Sequence, residues 1–306
     1  MAQNWQIIVN SRSNSGKTAK NWQKLAEKHA ITYPTHFTKS VEELQNLVVH
    51  LAQNNETNLI SVGGDGSLNV LLNAVFNQNV LPVNRFTLAA LPCGTGNDWL
   101  RTHFLGAQFS EILTAITQNK QVAHSIGKLT DEVGNSRYFL NVAGFGFDAY
   151  TVQKLNFFRL KGLSGLPSYV IALIASLFGY KTQHCTLDFN GTAKQVALFN
   201  LNVGCCRYAG GGMMLLPKAC PTNNYFDVTL VNAISKLKVL VKIPLLFSGN
   251  FTKEKEIEQH ETKTLKITAP QPMMAQTDGE LMPLSKQFFI EIMPNAIGLI
   301  SSLGKG

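Results

Sequence analysis

The stretch NLISVGGDGSLNVLLNAVF, residues 58–76, decides the fold. It opens as an apolar, partly β-branched run and closes with apolar residues at helical spacing. Between the two halves, Gly63, Gly64 and Gly66 surround one carboxylate, Asp65. Glycine is unfavourable inside regular elements and useful where the backbone bends sharply or meets a ligand closely. Taken alone, the stretch supports two readings: an ordinary strand-to-helix turn with Ser67 as N-cap, or a turn built to admit a ligand.

Working outward, the pattern repeats. WQIIVN near the start is a strand, and KSVEELQNLVVHLAQ carries Ser40 and Glu43 at capping-box spacing ahead of Leu44, Leu47, Val48 and Leu51 on one helical face. FTLAALP is a further strand, followed by the turn CGTGND and two short helical segments ending near Gln118. Strand and helix in alternation imply a parallel sheet with both faces covered. Beyond residue 125 the character changes to short β-rich runs (RYFLNVAGF, HCTLDF, AKQVALFNLNVG, YFDVTLVNA, TLKITAP, FFIEIMP), with Asn190-Gly191 placed as a two-residue hairpin turn. The expected organisation is an α/β domain over 1–124 and a mostly antiparallel β-sandwich over 125–293, with a helical insertion at about 150–180. The segment 294–306 is expected to pack back on the first domain.

Composition narrows the class. The chain has 306 residues, 45% of them apolar and 15% charged, which describes a folded protein long enough for two cores. Its net charge of +8 contains no block of like charges, so nucleic acid is not the expected partner; polyphosphate or an anionic membrane surface is. Five cysteines form neither a CxxC pair nor a zinc spacing. The N-terminus lacks a secretory pattern, and the longest apolar run, SYVIALIASLFGY, is shorter than the ~20 residues a bilayer core requires. The expected location is cytoplasmic, with peripheral attachment to the inner face of the membrane.

In α/β sheets, ligands collect beyond the carboxyl ends of the strands, and three loops fall there: NSRSNSGK, GGDGS and CGTGND. Backbone N–H groups in such turns bind phosphate, and Asp65 and Asp98 add carboxylates suited to organising Mg²⁺. The first loop ends like a P-loop, but Ser11 stands where that motif requires glycine, which excludes a P-loop nucleotidase.

Taken together, the loops resemble the catalytic domain shared by diacylglycerol kinases, sphingosine kinases and bacterial lipid kinases, relatives of NAD kinase. GGDGS is similar to the family's GGDGT, and LPCGTGNDWLR to its P-x-GTxND-(F/W)-x-R element; the likeness continues through NVAGFGFDA, GGGMMLLPKA, FDVTLV and TDGE. The resemblance implies an N-terminal α/β domain, a C-terminal β-sandwich, ATP between them, and Mg²⁺. It implies nucleotide contacts at Asn10, Ser13, Asn14, Thr38, Gly63, Gly64, Asp65, Gly66, Ser67, Asn69, Gly94, Thr95 and Asn97, with Asp65 and Asp98 organising the metal. It assigns the catalytic base to TDGE, with Glu280 nearest the acceptor and Asp278 supporting it. The residue reading of that stretch leaves open a plain hairpin turn at Asp278 and a solvated strand residue at Glu280.

Two departures matter. Ser125 stands where relatives carry an aspartate, and Thr222, Asn223 and Asn224 replace a DDG stretch that holds a structural Mg²⁺, leaving Asn223 as a weak candidate ligand. The aliphatic and aromatic residues between Phe157 and Tyr180 are expected in the core, or beside the acceptor. The expected function is phosphoryl transfer from ATP to the hydroxyl of a lipid such as diacylglycerol, with homodimerisation left open. A kinase of a soluble hydroxyl substrate (NAD-like or a polyol) and a degenerate nucleotide-binding regulator are the alternatives.

Overall fold

The structure, a computed structural model, describes residues 4–93, 97–160 and 166–303. The chain divides into two compact units, one of Met1–Ser125 with Asn295–Gly306, the other of Ile126–Pro294.

Unit 1 is built on β1 (Trp5–Asn10), β2 (Thr35–Thr38), β3 (Asn58–Gly63) and β4 (Thr87–Pro92), with α1 (Lys17–Lys28), α2 (Val41–Gln53), α3 (Asp65–Phe76), α4 (Asp98–His103) and α5 (Phe109–Thr117) between and after them. All the pairings are parallel: β1 lies between β2 and β3, and β3 pairs with β4. Trp5–Val9 and Leu59–Gly63 are buried without alternation, as expected for strands covered on both faces. The cap forms in part as read: Ser40 Oγ accepts the Glu43 N–H at 3.1 Å, while Glu43 reaches back to the Lys39 N–H at 2.6 Å and not to that of Ser40. The start of α3 differs from the Ser67 expectation. Gly64 is its N-cap and Asp65 its first residue, because the glycines let the chain turn immediately after β3.

Unit 2 takes up β5 (Gln121–Asp131) from Ile126 onward and continues with β6 (Ser136–Phe139), β7 (Val142–Gly146), α6 (Phe147–Leu160), α7 (Leu166–Gly179), β8 (Gln183–Phe189) and β9 (Thr192–Gly204). There follow β10 (Tyr208–Ala209), β11 (Met213–Met214), β12 (Phe226–Asn232), α8 (Lys236–Lys242), α9 (Leu245–Ser248), β13 (Ile257–Thr262), β14 (Thr264–Met273), β15 (Ala275–Thr277), β16 (Glu280–Leu281) and β17 (Ser285–Ile300). The pairing is antiparallel, with β9 against β7, β8 and β12. Asn190 and Gly191 both take positive φ (51° and 93°) and join β8 to β9 with Phe189 opposite Thr192, the geometry of a two-residue hairpin. The sandwich core gathers Phe139, Phe145, Phe226, Phe288 and the aliphatic residues between them.

From Asn295 onward, β17 belongs to unit 1 and runs parallel to β4, with Gly298 opposite Thr87 and Leu299 opposite Leu88. Among the described residues, no helix is long and apolar enough to cross a membrane, and the five cysteines form no disulfide, with Cys205 and Cys206 buried.

Candidate active site

In unit 1, the described residues of the three loops lie beyond the carboxyl ends of β1, β3 and β4. Asn10 and Thr38 are register partners at the ends of β1 and β2, and the Ser11 N–H donates to the Thr38 carbonyl at 2.8 Å. Asn10 Oδ1 accepts the Arg12 N–H at 3.0 Å, which folds the first loop back on its strand. The Cys93 N–H donates to the Gly63 carbonyl, tying the third loop to the second. A Cβ on Gly63 would overlap the Ser67 hydroxyl and stand 3.9 Å from Ser13 Oγ, so only glycine permits this approach. A Cβ on Gly66, by contrast, would meet nothing within 4 Å: that glycine leaves open space beside the first turn of α3.

A cavity of about 330 Å³ lies here, lined among others by Asn10, Arg12, Thr38, Lys39, Ser61 and Ser67. Sequence reasoning does not single out Arg12 and Lys39, although both sit inside or beside its candidate loops; they supply the positive charge that backbone amides alone do not. Ile8, Val41, Leu44 and Val70 add apolar lining, while the cavity's hydroxyl and amide groups, two cations and a helix N-terminus with open space at Gly66 fit a nucleotide's phosphates. Asn69 is buried on α3. Gly94 and Thr95 lie outside the described residues, as does the side chain of Asn14.

Asp65 has a different occupation from the one expected. Its Oδ2 accepts the Asp98 N–H at 2.8 Å and its Oδ1 the Trp99 N–H at 2.9 Å, the first amides of α4, whose N-cap is Asn97. Those amides have no partner inside their own helix, and a carboxylate there also meets the positive end of the helix dipole. Burial raises the Asp65 pKa, opposed by these N–H groups and by Arg101. Asp98 is buried as well, and its carboxylate lies 3.6 Å from Arg101 Nε. The Asp65 carboxylate therefore joins GGDGS to the Asp98–Trp99 start of α4 as a structural clasp. With both oxygens engaged by backbone N–H groups, Asp65 is not presented as an open metal ligand, whereas Asp98 Oδ1 is buried beside Arg101 and takes no part in those contacts. The Asn223 amide donates to the Tyr225 hydroxyl at 2.8 Å, and with no carboxylate among its neighbours Thr222 and Asn224, this turn does not fit a structural Mg²⁺ either. Ser125 is fully buried.

In unit 2, TDGE forms the tight turn between β15 and β16, with Asp278 and Gly279 at φ 48° and 89°. The hairpin reading is thus correct in its geometry, and the side chain adds more. The Asp278 carboxylate accepts three backbone N–H groups, from Leu140 (2.8 Å), Asn141 (2.9 Å) and Val142 (3.0 Å), fixing the turn to the start of β7. Glu280 is exposed on β16, opposite Thr277.

The same turn connects to an apolar cavity of about 90 Å³, lined mainly by Phe147, Tyr169, Leu173, Phe199, Met213 and Leu246, with Asp148 among its few polar groups. Asp148 Oδ2 accepts from Gln276 Nε2 at 2.7 Å, and Gln276 Oε1 in turn accepts the Gly279 N–H at 2.7 Å. Burial pushes the Asp148 carboxyl up to about 6, with the Gln276 hydrogen bond opposing the rise. Gly144 makes this possible, since a Cβ there would overlap both Asp148 and Gln276. The motif NVAGFGFDA is legible in the sequence as part of a family pattern, but the burial and partner of its aspartate are not.

Comparison with known proteins agrees with this division. Residues 4–129 match the model of the diacylglycerol kinase catalytic domain, and residues 141–301 match that of the YegS C-terminal NAD kinase beta sandwich-like domain. A protein named "Probable lipid kinase YegS-like" from Yersinia enterocolitica is 28% identical over 95% of this chain and 94% of its own length. One of the same name from Yersinia pseudotuberculosis is 27% identical over 95% and 94%. A crystal structure described as a diacylglycerol kinase from Bacillus anthracis superposes with a TM-score of 0.73 at 19% identity, covering 98% of this chain and 97% of that one, a likeness of fold.

Proposed function

We propose, for a chain that belongs to the diacylglycerol kinase type of lipid kinase family, that it transfers the γ-phosphoryl group of ATP to the hydroxyl of a lipid such as a diacylglycerol. The observation that carries this reading is the apolar cavity of unit 2, whose buried carboxylate Asp148 is linked through Gln276 to the TDGE turn. A soluble polyol or dinucleotide has no use for such a lining, whereas acyl chains do.

The division of labour follows from the two sites. Asn10 and Gly63 shape the phosphate loops, Arg12 and Lys39 attract the polyphosphate, and Asp65 keeps the loops in register. Mg²⁺, when bound with the nucleotide, would supply neutralisation of charge on its phosphates. On the acceptor side, the cavity takes apolar chain and Asp148 holds the polar end of the lipid by hydrogen bonding. Asp278 positions the turn through its three amides. Glu280, the exposed carboxylate beside it, takes the proton as the hydroxyl oxygen bonds to the γ-phosphorus and the bond to the β-phosphate oxygen breaks, releasing ADP. The protein attaches peripherally to the membrane that contains its substrate.

Incubation with Mg²⁺ and γ-labelled ATP against a total lipid extract, and separately against NAD and polyols, tests this. Label is expected in the organic phase. Label confined to water-soluble products refutes the lipid acceptor, and no incorporation in any fraction refutes the kinase.

A further inference from the structure

Two helices of unit 2 carry apolar side chains on the wrong side for a core. In α7, Ile171, Ile174 and Phe178 follow i, i+3, i+7 spacing and are exposed, Phe178 by 80%. In α8, Leu237, Leu240 and Val241 follow i, i+3, i+4 spacing and are exposed, Leu237 by 72% and Val241 by 66%. Such spacing lays each set along one stripe of its helix. The two helices pack together, and Lys236 Nζ donates to the Phe178 carbonyl at 3.1 Å. Other residues of the same helices, Leu173 of α7 and Val239 of α8, turn inward and line the apolar cavity.

Exposed apolar stripes on two helices packed together mark a place that something covers. The charges around it say what. Between residues 236 and 256 there are five lysines and two glutamates, Lys181 follows α7, and α7 itself contains no charged residue. Glu254 and Glu256 are engaged by Lys238 and Lys242, which leaves the local balance positive. A second copy of the chain would set this lysine excess against its own image; an anionic bilayer accepts it.

We propose that the α7–α8 face docks on an anionic lipid bilayer, inserting Ile174, Phe178, Leu237 and Val241 among the headgroups while the lysines meet lipid phosphate. The arrangement is that of an interfacial amphipathic surface. It places the helices that wall the acceptor cavity directly on the bilayer, so a lipid reaches the cavity without crossing water. In naming what lies over the cavity, the proposal rests on the lipid-kinase reading; the docking itself does not.

The test is co-sedimentation of the full chain with phosphatidylcholine vesicles, with and without phosphatidylglycerol, in the absence of ATP. The wild type is expected to partition onto the mixed vesicles, and Leu237→Gln/Val241→Gln to partition about tenfold to a hundredfold less, with an unchanged melting curve. Phe178→Gln, on the other helix, provides an independent variant. Unchanged partitioning of both variants overturns the proposal, and so does equal binding to phosphatidylcholine alone. A wild type that dimerises without vesicles, and a double variant that does not, also overturns it, since a second copy then covers the face. Vesicle binding without phosphorylation of any lipid leaves docking standing and removes the lipid-kinase reading. Lipid phosphorylation with unaltered binding by the variants does the reverse.

Discussion

Replacing Asp148 by asparagine should make the protein more stable at neutral pH and a poorer enzyme. The carboxyl is fully buried in the apolar cavity and titrates at about 6, against an ordinary value of about 3.9. Between those two pH values the folded chain holds a proton that the unfolded chain has released. Stability therefore falls as pH rises through the window, and above it the full penalty applies, on the order of 3 kcal/mol. The amide introduced by Asp148→Asn keeps the shape, can still accept from Gln276, and carries no charge to desolvate. The difference in unfolding free energy between variant and wild type should be near zero at about pH 4 and grow to about 3 kcal/mol in the variant's favour by about pH 7. Urea unfolding at several pH values measures it directly, because every other carboxylate cancels in the difference. Parallel stability curves across that window would refute the argument. Lipid turnover should fall meanwhile, by about tenfold or more, if the charge holds the acceptor.

Other variants probe the remaining contacts. Asp65→Asn turns an amide group toward one of two backbone donors, and should cost about 2–3 kcal/mol on melting and weaken ATP binding; a variant as stable as wild type means the clasp is dispensable. Asp278→Asn faces three donors and should destabilise unit 2 by a similar amount, read by hydrogen exchange at residues 140–142. Glu280→Gln should retain ATP affinity and lose ~10²-fold in turnover; undiminished turnover places the base elsewhere. Arg12→Ala and Lys39→Ala should each raise KM for ATP several-fold, more at low salt, with kcat little changed, and an unmoved KM means the 330 Å³ cavity is not the nucleotide site.

What the sequence makes legible is local. The strand, glycine turn and helix around Asp65, the Ser40–Glu43 cap and the Asn190-Gly191 hairpin all rest on contacts a few residues apart, where spacing and φ preference decide. The role of Asp65 itself is hidden because its partners are amides 33 and 34 positions onward, and a carboxylate in a glycine loop looks the same whether it awaits a metal or caps another helix. Asp148 and Gln276, 128 positions apart, are joined only by the folding of β15 beside β7. The helix α7 is harder still. Its sequence is apolar on every side, so composition alone does not separate Leu173, which lines a cavity, from Phe178, which faces solvent.

The final strand carries a consequence for synthesis. Because Asn295–Ile300 completes the parallel sheet beside β4, the whole of unit 2 is made before unit 1 can close. While the ribosome adds residues 93–294, at roughly 5–20 per second, β4 waits as an open edge whose side chains, including Leu88, Ala89 and Leu91, are destined for burial. A nascent chain of this design spends many seconds with an apolar edge unpaired, which makes unit 1, translated ahead of unit 2, the last to be finished.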